Sequence, residues 1–367
     1  MKFPTAFCFS ILSLSSLGVG EMVYCWAAHP YRTPATLRVH WHHQAQFAGF
    51  YLAKDKGFYR DEDIDLKIVG GGPQVHVPEK VAEGEDTFGI ATGSQVLEAY
   101  SKQKNIKAIG TVFGKSLACF MVRKDSKIFG PTDFSSKKVA VYHKFDTEAI
   151  YLELLRITGV DRNTIIEVPA ETVDQFWNGM VDVWPSYVSN EPLDQRRQKT
   201  PIRLIQPSQF GIQSYSDTII VSECTLHDQP ELVKGFIRAS EKGWLLASQD
   251  PTAAVSAVLG YVEGRGKDPA VVEHETLMMQ TLSGDYIRAN HPFEMNREVW
   301  QAMTKMNRAG EPLPADYIDR LCDFEISGGV RSWQKPTLAG FGRLFARAQY
   351  PSVPVSKLMR LQEPLER

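Results

Sequence analysis

Residues 88–113 read FGIATGSQVLEAYSKQKNIKAIGTVF, and they contain one complete unit of an α/β repeat. Phe88–Ala91 is a short apolar run that predicts a strand, residues 95–103 have helical spacing, and residues 106–113 form a second apolar run. A strand, a helix and a strand in such close succession are typical of parallel strands joined by a crossover helix. The stretch therefore predicts an α/β fold with mostly parallel sheets.

The same alternation continues on both sides of this stretch, which predicts sheets covered by helices on both faces. After a predicted strand at residues 218–222, the sequence is mainly helical to about residue 308. The other predicted strands are residues 37–41, 64–69, 119–123, 138–142 and 165–168, and the other predicted helices are residues 47–56, 75–83, 147–158 and 173–180.

Two series of strands and helices predict two α/β lobes. We expect lobe I to contain residues 36–118 and 216–330, and lobe II to contain residues 119–215. The chain would then cross between the lobes twice, and two crossovers make a hinge. Prolines and mixed charge in residues 335–367 predict a surface tail.

The composition is that of a globular protein without a strong charge bias. Of the 367 residues 43 % are hydrophobic, which is enough for the cores of two compact units. The 41 lysines and arginines balance 43 aspartates and glutamates, for a formal charge of −2. A near-neutral chain offers no basic surface, so we expect no nucleic-acid partner.

Residues 1–28 have the features of a secretory signal peptide. Lys2 is their only basic residue, residues 6–20 carry no charge, and small side chains suit cleavage after Gly20 or Ala27. We therefore expect export to the periplasm.

Three cysteines follow this segment, and they are too few and too widely spaced to predict a disulfide framework or a zinc site. They are Cys119, Cys224 and Cys322. The sequence leaves open whether all three are buried thiols or two form a disulfide. Cys25 raises the alternative of a lipoprotein, which the bulky residue before it disfavours.

The stretch WHHQAQFAGFYLAKDKGFY, residues 41–59, follows the first predicted strand. Trp41 ends that strand, and ligands of open α/β sheets lie outside the carboxyl ends of strands. An indole at this place can stack on a planar ring, so we assign Trp41 and Gln44 to a ligand cleft. On a strand, His40 and His42 would point to one side as a pair of metal ligands, but no third ligand is near. We expect no metal site.

Three further segments contribute candidate ligand contacts. Thr92 and Ser94 begin a predicted helix, where backbone amides receive anions and carbonyl oxygens. We interpret VDVWPSYVSNEP, residues 181–192, as a recognition loop, because Glu191 can accept two hydrogen bonds from an amidine-like edge such as an aminopyrimidine. The remaining candidates are Trp184, Tyr187, Asn190, Tyr215 and Asp217.

Motifs of nucleophilic, metal-dependent and nucleotide-dependent catalysis are absent from the sequence. It contains no GxSxG, HExxH, P-loop or GxGxxG pattern. We therefore expect a binding protein that uses no cofactor.

The ordered series of motifs resembles the thiamine-pyrimidine-synthase-like family of periplasmic substrate-binding proteins over about residues 36–260. The resemblance implies a two-lobed periplasmic-binding-protein fold of type II, which closes on a small ligand and delivers it to an ABC importer. Members of the family bind an aminopyrimidine precursor of thiamine, and related proteins bind riboflavin or sulfonates. The segments that carry it are WHHQAQFAGFYLAKDKGFY and IDLKIVGGG within residues 41–72, TFGIATGSQ at 87–95, IFGPTDFSSKKVAVY at 128–142, VDVWPSYVSNEP at 181–192 and SYSDTIIVSE at 214–223.

The resemblance also implies roles for individual residues. Trp41 falls where the family places a stacking ring, and Glu191 matches an acidic residue that follows an asparagine. Thr92 and Ser94 fall at a cleft-lining helix start, and Tyr215 and Asp217 match a tyrosine and an aspartate before the return strand.

Enzymes of the same family make the thiamine pyrimidine from pyridoxal phosphate and histidine. They carry a lysine and a histidine where this chain has Ala91 and Gln95, and a cysteine cluster where it has GIQSYSD, residues 211–217. Without the lysine no Schiff base forms, so the resemblance implies that this chemistry is absent.

We expect a monomeric, periplasmic solute-binding protein that holds a planar heterocycle, such as a thiamine pyrimidine precursor, between Trp41 and the segment from Trp184 to Glu191. Its partner would be an ABC permease in the membrane. One alternative is a ligand sensor that acts with a membrane histidine kinase. A further alternative is a pyridoxal-phosphate-dependent pyrimidine synthase.

Overall fold

The computed structural model describes residues 32–143, 145–194, 199–262, 266–288, 292–306, 314 and 316–328. The predicted signal peptide and the predicted tail lie outside the described residues.

The first sheet combines four strands from the first third of the chain with one strand from much later. The strand order is β2-β1-β3-β10-β4. Strand β1 pairs in parallel with β2 and β3, whereas β10 is antiparallel to β3 and β4. The strands are Thr33–Arg38 (β1), Ile64–Val69 (β2), Phe88–Ala91 (β3), Ile106–Thr111 (β4) and Thr218–Ser222 (β10).

The second sheet uses the intervening sequence and has the same arrangement. Its order is β7-β6-β8-β5-β9, with β6 parallel to β7 and β8, and β5 antiparallel to β8 and β9. Its strands are Ala118–Arg123 (β5), Lys138–Val141 (β6), Ile166–Pro169 (β7), Val183–Tyr187 (β8) and Ile202–Ile205 (β9).

In each sheet the antiparallel strand is the first one that the chain forms after it passes from the other sheet. The chain leaves the first sheet after Thr111 and enters the second as β5, and it leaves the second after Ile205 and re-enters the first as β10. The other four strands of each sheet run in one direction. In the first sheet, the carboxyl ends of β1, β2 and β3 therefore point the same way. In the second sheet, those of β6, β7 and β8 do the same.

The helices surround these sheets, and the described residues after β10 are mainly helical. No helix of the described residues is both long enough and apolar enough to span a bilayer. The helices are Ala48–Asp55 (α1), Val77–Ala82 (α2), Gly93–Ser101 (α3), Asp146–Thr158 (α4), Asp174–Trp177 (α5), Glu223–Asp228 (α6), Pro230–Gln249 (α7), Pro251–Leu259 (α8), Pro269–Asp285 (α9), Arg297–Met306 (α10), Tyr317–Leu321 (α11) and Phe324–Gly328 (α12).

Helices α1 and α7 pack at very short distance because each carries a glycine at the contact. A Cβ atom at Gly49 would collide with the indole of Trp244, and one at Gly243 would collide with the carbonyl oxygen of Gly49. The Trp244 ring is fully buried and lies edge-on against Phe50, with ring centroids 5.6 Å apart. This contact fixes the segment before α1 relative to the first sheet.

Strand β1 ends at Arg38, three residues before the end that we predicted at Trp41. Its last ladder bonds are followed by one from Val39 N to Val69 O (3.0 Å), after which the chain turns and Gly71 N donates to Trp41 O (2.8 Å). A Cβ atom at Gly71 would meet the backbone of Val39 and His40. Glycine is therefore needed where the turn after β1 meets the turn after β2, and Trp41 lies on a turn instead of a strand.

Candidate ligand-binding cavity

A cavity of about 740 Å³ lies between the two sheets. One wall consists of residues that follow β1, β2 and β3, and the facing wall consists of residues that follow β6, β7 and β8. Both sheets thus direct the carboxyl ends of their parallel strands at the same space, which is where open α/β sheets bind ligands. The wall residues fall within 40–46, 72–79, 92–104, 141–143, 145–147, 169–171 and 185–191, although not every residue of these ranges lines the cavity.

Aromatic rings from both walls meet at this cavity. Trp41, on the turn after β1, lies edge-on to Phe145, which follows β6, and their ring centroids are 6.0 Å apart. Phe145 is in turn 5.7 Å from the ring of Tyr142. A planar ligand that enters between the walls finds flat apolar surfaces on both sides.

Glu191 is a carboxyl group held at the end of β8. The segment after this strand turns into a short 3₁₀ helix, Glu191–Asp194, and Ser186 Oγ donates a hydrogen bond of 2.5 Å to Glu191 Oε2. Burial raises the pKa of Glu191 above its usual value, although the Ser186 hydrogen bond opposes this effect. The fold thus holds a carboxyl group in a surrounding that favours a ligand able to donate hydrogen bonds to it.

Asp146 provides a second carboxyl group on the same wall. It is the first residue of α4 and is buried, and Tyr187 OH donates a hydrogen bond of 2.9 Å to its Oδ2. Burial raises the pKa of Asp146 to about 6, against the lowering effects of Tyr187 and His40. The negative charge of Asp217 adds to the increase in this pKa.

A hydrogen-bonded network supports the opposite wall. Asp217 is completely buried just before β10, and its Oδ1 lies 3.1 Å from His40 Nε2. Gln46 Nε2 donates to both carboxylate oxygens of Asp217 at 3.0 Å, and Gln44 Nε2 donates to Gln46 Oε1 at 2.7 Å. The return strand β10 therefore positions three polar side chains of the turn after β1, namely His40, Gln44 and Gln46, all of which line the cavity.

Acidic side chains outnumber lysines and arginines on the wall, as far as the structure describes it. The two lysines there are already paired: Lys102 Nζ is 2.7 Å from Glu98, and Lys104 Nζ is 3.6 Å from Glu83. No arginine occurs among these described wall residues. The wall thus favours a ligand with N–H donors or positive charge over a sulfonate or phosphate. Its carboxyl groups are Glu79, Glu98, Asp146, Glu171 and Glu191.

The structure places most of the residues that we selected from the sequence on this cavity. Thr92 lines it while also capping helix α3, where its Oγ1 accepts from Gln95 N at 3.3 Å and Gln95 Oε1 accepts from Thr92 N at 3.1 Å. The others on the wall are Trp41, Gln44, Tyr187, Asn190 and Glu191.

Trp184 lies in the core of the second sheet and not in a recognition loop. The segment that we interpreted as a loop forms strand β8, and the Trp184 side chain is fully buried against Met121 and Phe176. Its ring meets Tyr142 edge-on, with centroids 5.5 Å apart. A side chain in the middle of a strand points into the packed layer, and only the residues toward the carboxyl end of β8 reach the cavity.

Ser94, Tyr215 and Asp217 also lie off the cavity wall. The hydroxyl of Ser94 is 3.2 Å from that of Thr92. Tyr215 OH accepts a hydrogen bond of 2.7 Å from Asn296 N, which ties the return segment to the start of α10. These side chains support the wall from behind, as Asp217 does.

Sequence reasoning missed His40, Tyr142, Phe145 and Asp146. The sequence suggested His40 only as one of a pair of metal ligands, but the early end of β1 turns His40 toward Asp217. The other three follow β6 at the place equivalent to that of Trp41 in the first sheet. Applying the rule for carboxyl strand ends to the second series of strands would have found them.

The structure groups no three or more histidine, cysteine, aspartate or glutamate side chains around a common point that could hold a metal ion, within the residues it describes. Cys119, Cys224 and Cys322 are free thiols.

Comparisons with known proteins give this cavity a context. The model of a family described as NMT1/THI5 like matches residues 44–254. The 4-amino-5-hydroxymethyl-2-methylpyrimidine phosphate synthase of Legionella pneumophila is 25 % identical over 229 residues, which are 61 % of this chain and 72 % of that protein. The formylaminopyrimidine-binding protein of Halalkalibacterium halodurans is 21 % identical over 266 residues, which are 71 % of this chain and 80 % of that protein.

A putative periplasmic sulfonate-binding protein, SsuA of Methylobacillus flagellatus, has a similar structure. It superimposes with a TM-score of 0.61 at 14 % identity, over 81 % of this chain and 93 % of its own. The two five-stranded sheets are thus those of the periplasmic-binding-protein fold. Because the family model matches more than half of its 367 residues, the chain belongs to the NMT1/THI5-like family.

Proposed function

We propose that this protein is an exported, monomeric solute-binding protein that captures a planar, amino-substituted heterocycle such as a thiamine pyrimidine precursor. The observation that carries the proposal is the pairing of two carboxyl groups, the buried Asp146 and the half-buried Glu191, with the aromatic surfaces of Trp41, Tyr142 and Phe145 in one cavity. The partner that receives the ligand is an ABC permease in the membrane.

The charge of the cavity supports this class of ligand. A carboxylate accepts hydrogen bonds in pairs, so Glu191 matches the adjacent amino group and ring nitrogen of an aminopyrimidine in its protonated form. A sulfonate would have to lie beside Glu191 and Asp146, and the described wall offers it no unpaired lysine or arginine. Repulsion between the sulfonate and these carboxylates would disfavour binding.

Two residues favour binding over pyrimidine synthesis. Ala91 is buried at the end of β3 and provides no amine for a Schiff base. Gln95 uses its side chain in the capping box of α3. At the two positions where the enzymes carry a lysine and a histidine, this chain therefore has an alanine without a reactive group and a glutamine that caps helix α3.

A binding panel on the purified mature protein tests this proposal. We expect 4-amino-5-hydroxymethyl-2-methylpyrimidine to raise the melting temperature and to bind saturably in calorimetry, while alkanesulfonates do neither. Riboflavin and purines extend the panel to larger planar rings. Stabilisation by sulfonates alone would reject an amino-substituted ligand.

Glu191→Gln tests the proposed contact directly. We expect at least a 10-fold loss of affinity for the pyrimidine, because a hydrogen bond to a charged group contributes about 1.5–3 kcal/mol. Glu231→Gln is the matched control, since Glu231 is exposed at the start of α7 and pairs only with Lys234 (2.9 Å). Equal affinities for the two variants would remove Glu191 from the site.

A further inference from the structure

A second cavity of about 500 Å³ lies where the chain passes between the two sheets. One side is formed by residues 114–118, which join β4 to β5, and another by residues 206–215, which join β9 to β10. Tyr286, Arg288 and residues from 294 to 299, around the start of α10, close it. The cavity therefore touches both connections between the sheets, and it shares no lining residue with the larger cavity.

Arg288 is the main cationic group of this cavity, and it is incompletely bonded. Its two terminal nitrogens donate to the carbonyl oxygens of Phe113 (3.4 Å) and Glu294 (2.5 Å). Its Nε is buried and has no hydrogen-bond partner among the described residues. Burial also lowers the pKa of the guanidinium from its usual value, which reports that the charge is poorly solvated. An unused, desolvated N–H is unfavourable unless an acceptor binds it.

The connection between β4 and β5 is shaped to receive this guanidinium. A Cβ atom at Gly114 would lie 2.5 Å from Arg288 Nε. Gly114 N also donates to Tyr286 O at 3.3 Å, so the connection and the segment that carries Arg288 are bonded to each other. The absent side chain leaves room for Arg288 at the cavity wall.

Two more groups on the wall suit an anion. Lys115 Nζ lies 4.5 Å above the ring of Tyr286, and neither Lys115 nor Arg288 forms an ion pair with a carboxylate of the described residues. Ser214 Oγ is buried, and no described residue forms a hydrogen bond with it. Against these two positive charges stands one acidic side chain of the wall, Glu294, which is exposed.

We propose that this cavity is a second binding site, which takes a small organic oxyanion such as a carboxylate, sulfonate or phosphate ester. Arg288 Nε and the Ser214 hydroxyl donate hydrogen bonds to the anionic group, and Lys115 contributes charge. The apolar part of the ligand packs against Ile212, Met295 and Val299, which also line the cavity. Because an occupant contacts both connections, it stabilises one arrangement of the two sheets over others.

Calorimetry on the full mature protein, in low-salt buffer without phosphate, tests the site with orthophosphate and benzoate as probes. We expect saturable binding of at least one probe, with affinity that falls as salt is added. Arg288→Gln should weaken it about 10-fold or more, and Lys115→Gln should weaken it severalfold. Two controls should bind as the unmodified protein does: Lys234→Gln, an exposed lysine on α7, and Glu191→Gln in the larger cavity.

Failure of both probes to bind the unmodified protein would overturn the proposal. Unchanged affinity in Lys115→Gln and Ser214→Ala would also overturn it, even if Arg288→Gln fails to fold. Lys115 is exposed, so its substitution leaves the core intact. Retained anion binding in Glu191→Gln separates this site from the proposed pyrimidine site, and loss of binding there would contradict a second site.

Discussion

The carboxyl group of Asp146 lies in a surrounding that disfavours its charge. Its pKa is about 6 in the folded protein, against 3.8 for an ordinary aspartate, and burial is the main cause. The folded state therefore binds a proton more tightly than the unfolded state. The contribution of Asp146 to the free energy of unfolding therefore falls as the pH rises from about 4 to about 6, and above that pH it no longer changes.

Asp146→Asn should consequently stabilise the ligand-free protein, and more so at higher pH. A shift of about two pKa units corresponds to up to about 3 kcal/mol, and we expect the gain at pH 7.5 to exceed that at pH 4.5 by about 2 kcal/mol. Urea unfolding at the two pH values measures it. Asp174→Asn, at the exposed start of α5, should show a small change that is the same at both values. A pH-independent effect of Asp146→Asn would contradict the burial of its charge.

Trp41 should carry much of the stacking energy in the proposed pyrimidine site. We expect Trp41→Ala to weaken pyrimidine binding 10- to 100-fold and Trp41→Phe to weaken it less, because a smaller ring still stacks. Trp184→Phe is the matched control: it removes the same indole from the core, so it should lower stability and leave the affinity of the folded protein unchanged. Calorimetry and melting curves on the three variants distinguish these effects.

The predicted and observed positions of the two tryptophans show how far a single residue can be placed from sequence. Trp41 lines the larger cavity although we expected it to end a strand, whereas Trp184 lies in strand β8 although the aromatic and polar residues around it suggested a loop. Asp217 was selected, but its part is to hold His40 and Gln46 from behind. Such partners come from distant parts of the chain, and no local pattern links residue 40 to residue 217.

At the scale of elements, the contact between α1 and α7 is the least tolerant of added volume. Gly243→Ala would place a methyl group against Gly49 O and 2.5 Å from Ala53 Cβ. We expect a loss of at least about 2 kcal/mol in the free energy of unfolding, since overpacking a close contact typically costs about 1–3 kcal/mol. Gly284→Ala in α9 is the control, because nothing lies within 4 Å of its added Cβ. A neutral Gly243→Ala would show that the two helices separate easily.

The bounds of a strand could be predicted where polar residues flank a short apolar run. Phe88–Ala91 and Thr218–Ser222 agree with the predicted bounds because each is a short buried run with polar residues on both sides. Strand β1 was predicted too far along the chain because the residues at its amino end are exposed and carry no apolar pattern. Its actual length is set by pairing with β2. Pairing between strands far apart in sequence is decided by tertiary structure and leaves no periodic signal.

At the scale of the molecule, His274 links the two halves that carry the sheets. It lies on α9, which packs in the same core as the first sheet, and its Nε2 is 3.2 Å from Asn190 Oδ1 of the segment after β8. Its Nδ1 is 3.6 Å from Asp194 Oδ1. The neighbouring carboxylate of Asp194 raises the pKa of His274 above 6.5, and the charges of Glu275 and Glu191 act in the same direction.

This link should weaken as the pH rises. A histidine whose pKa is raised by folding stabilises the folded state below its unfolded pKa of 6.5, and that contribution is lost as the pH rises through the higher folded value. His274→Gln should therefore lower the free energy of unfolding at pH 5.5 by about 1 kcal/mol and by less at pH 8.5. Urea unfolding of His274→Gln and of the exposed control His227→Gln checks this. An equal loss at both pH values would assign His274 a packing role only.

The position of β10 inside the first sheet has a consequence for how the chain folds. Thr218 of this strand pairs with Ala91 on one side and with Thr111 on the other, so β3 and β4 have no ladder between them until it arrives. The second sheet is built from one uninterrupted stretch. Its most distant pairing joins Phe120 to Ile205, whereas the first sheet must join Thr111 to Thr218, a longer closure that is entropically slower. We therefore expect the second sheet to form first and the first sheet to be completed afterwards, with β10 as the last strand to enter.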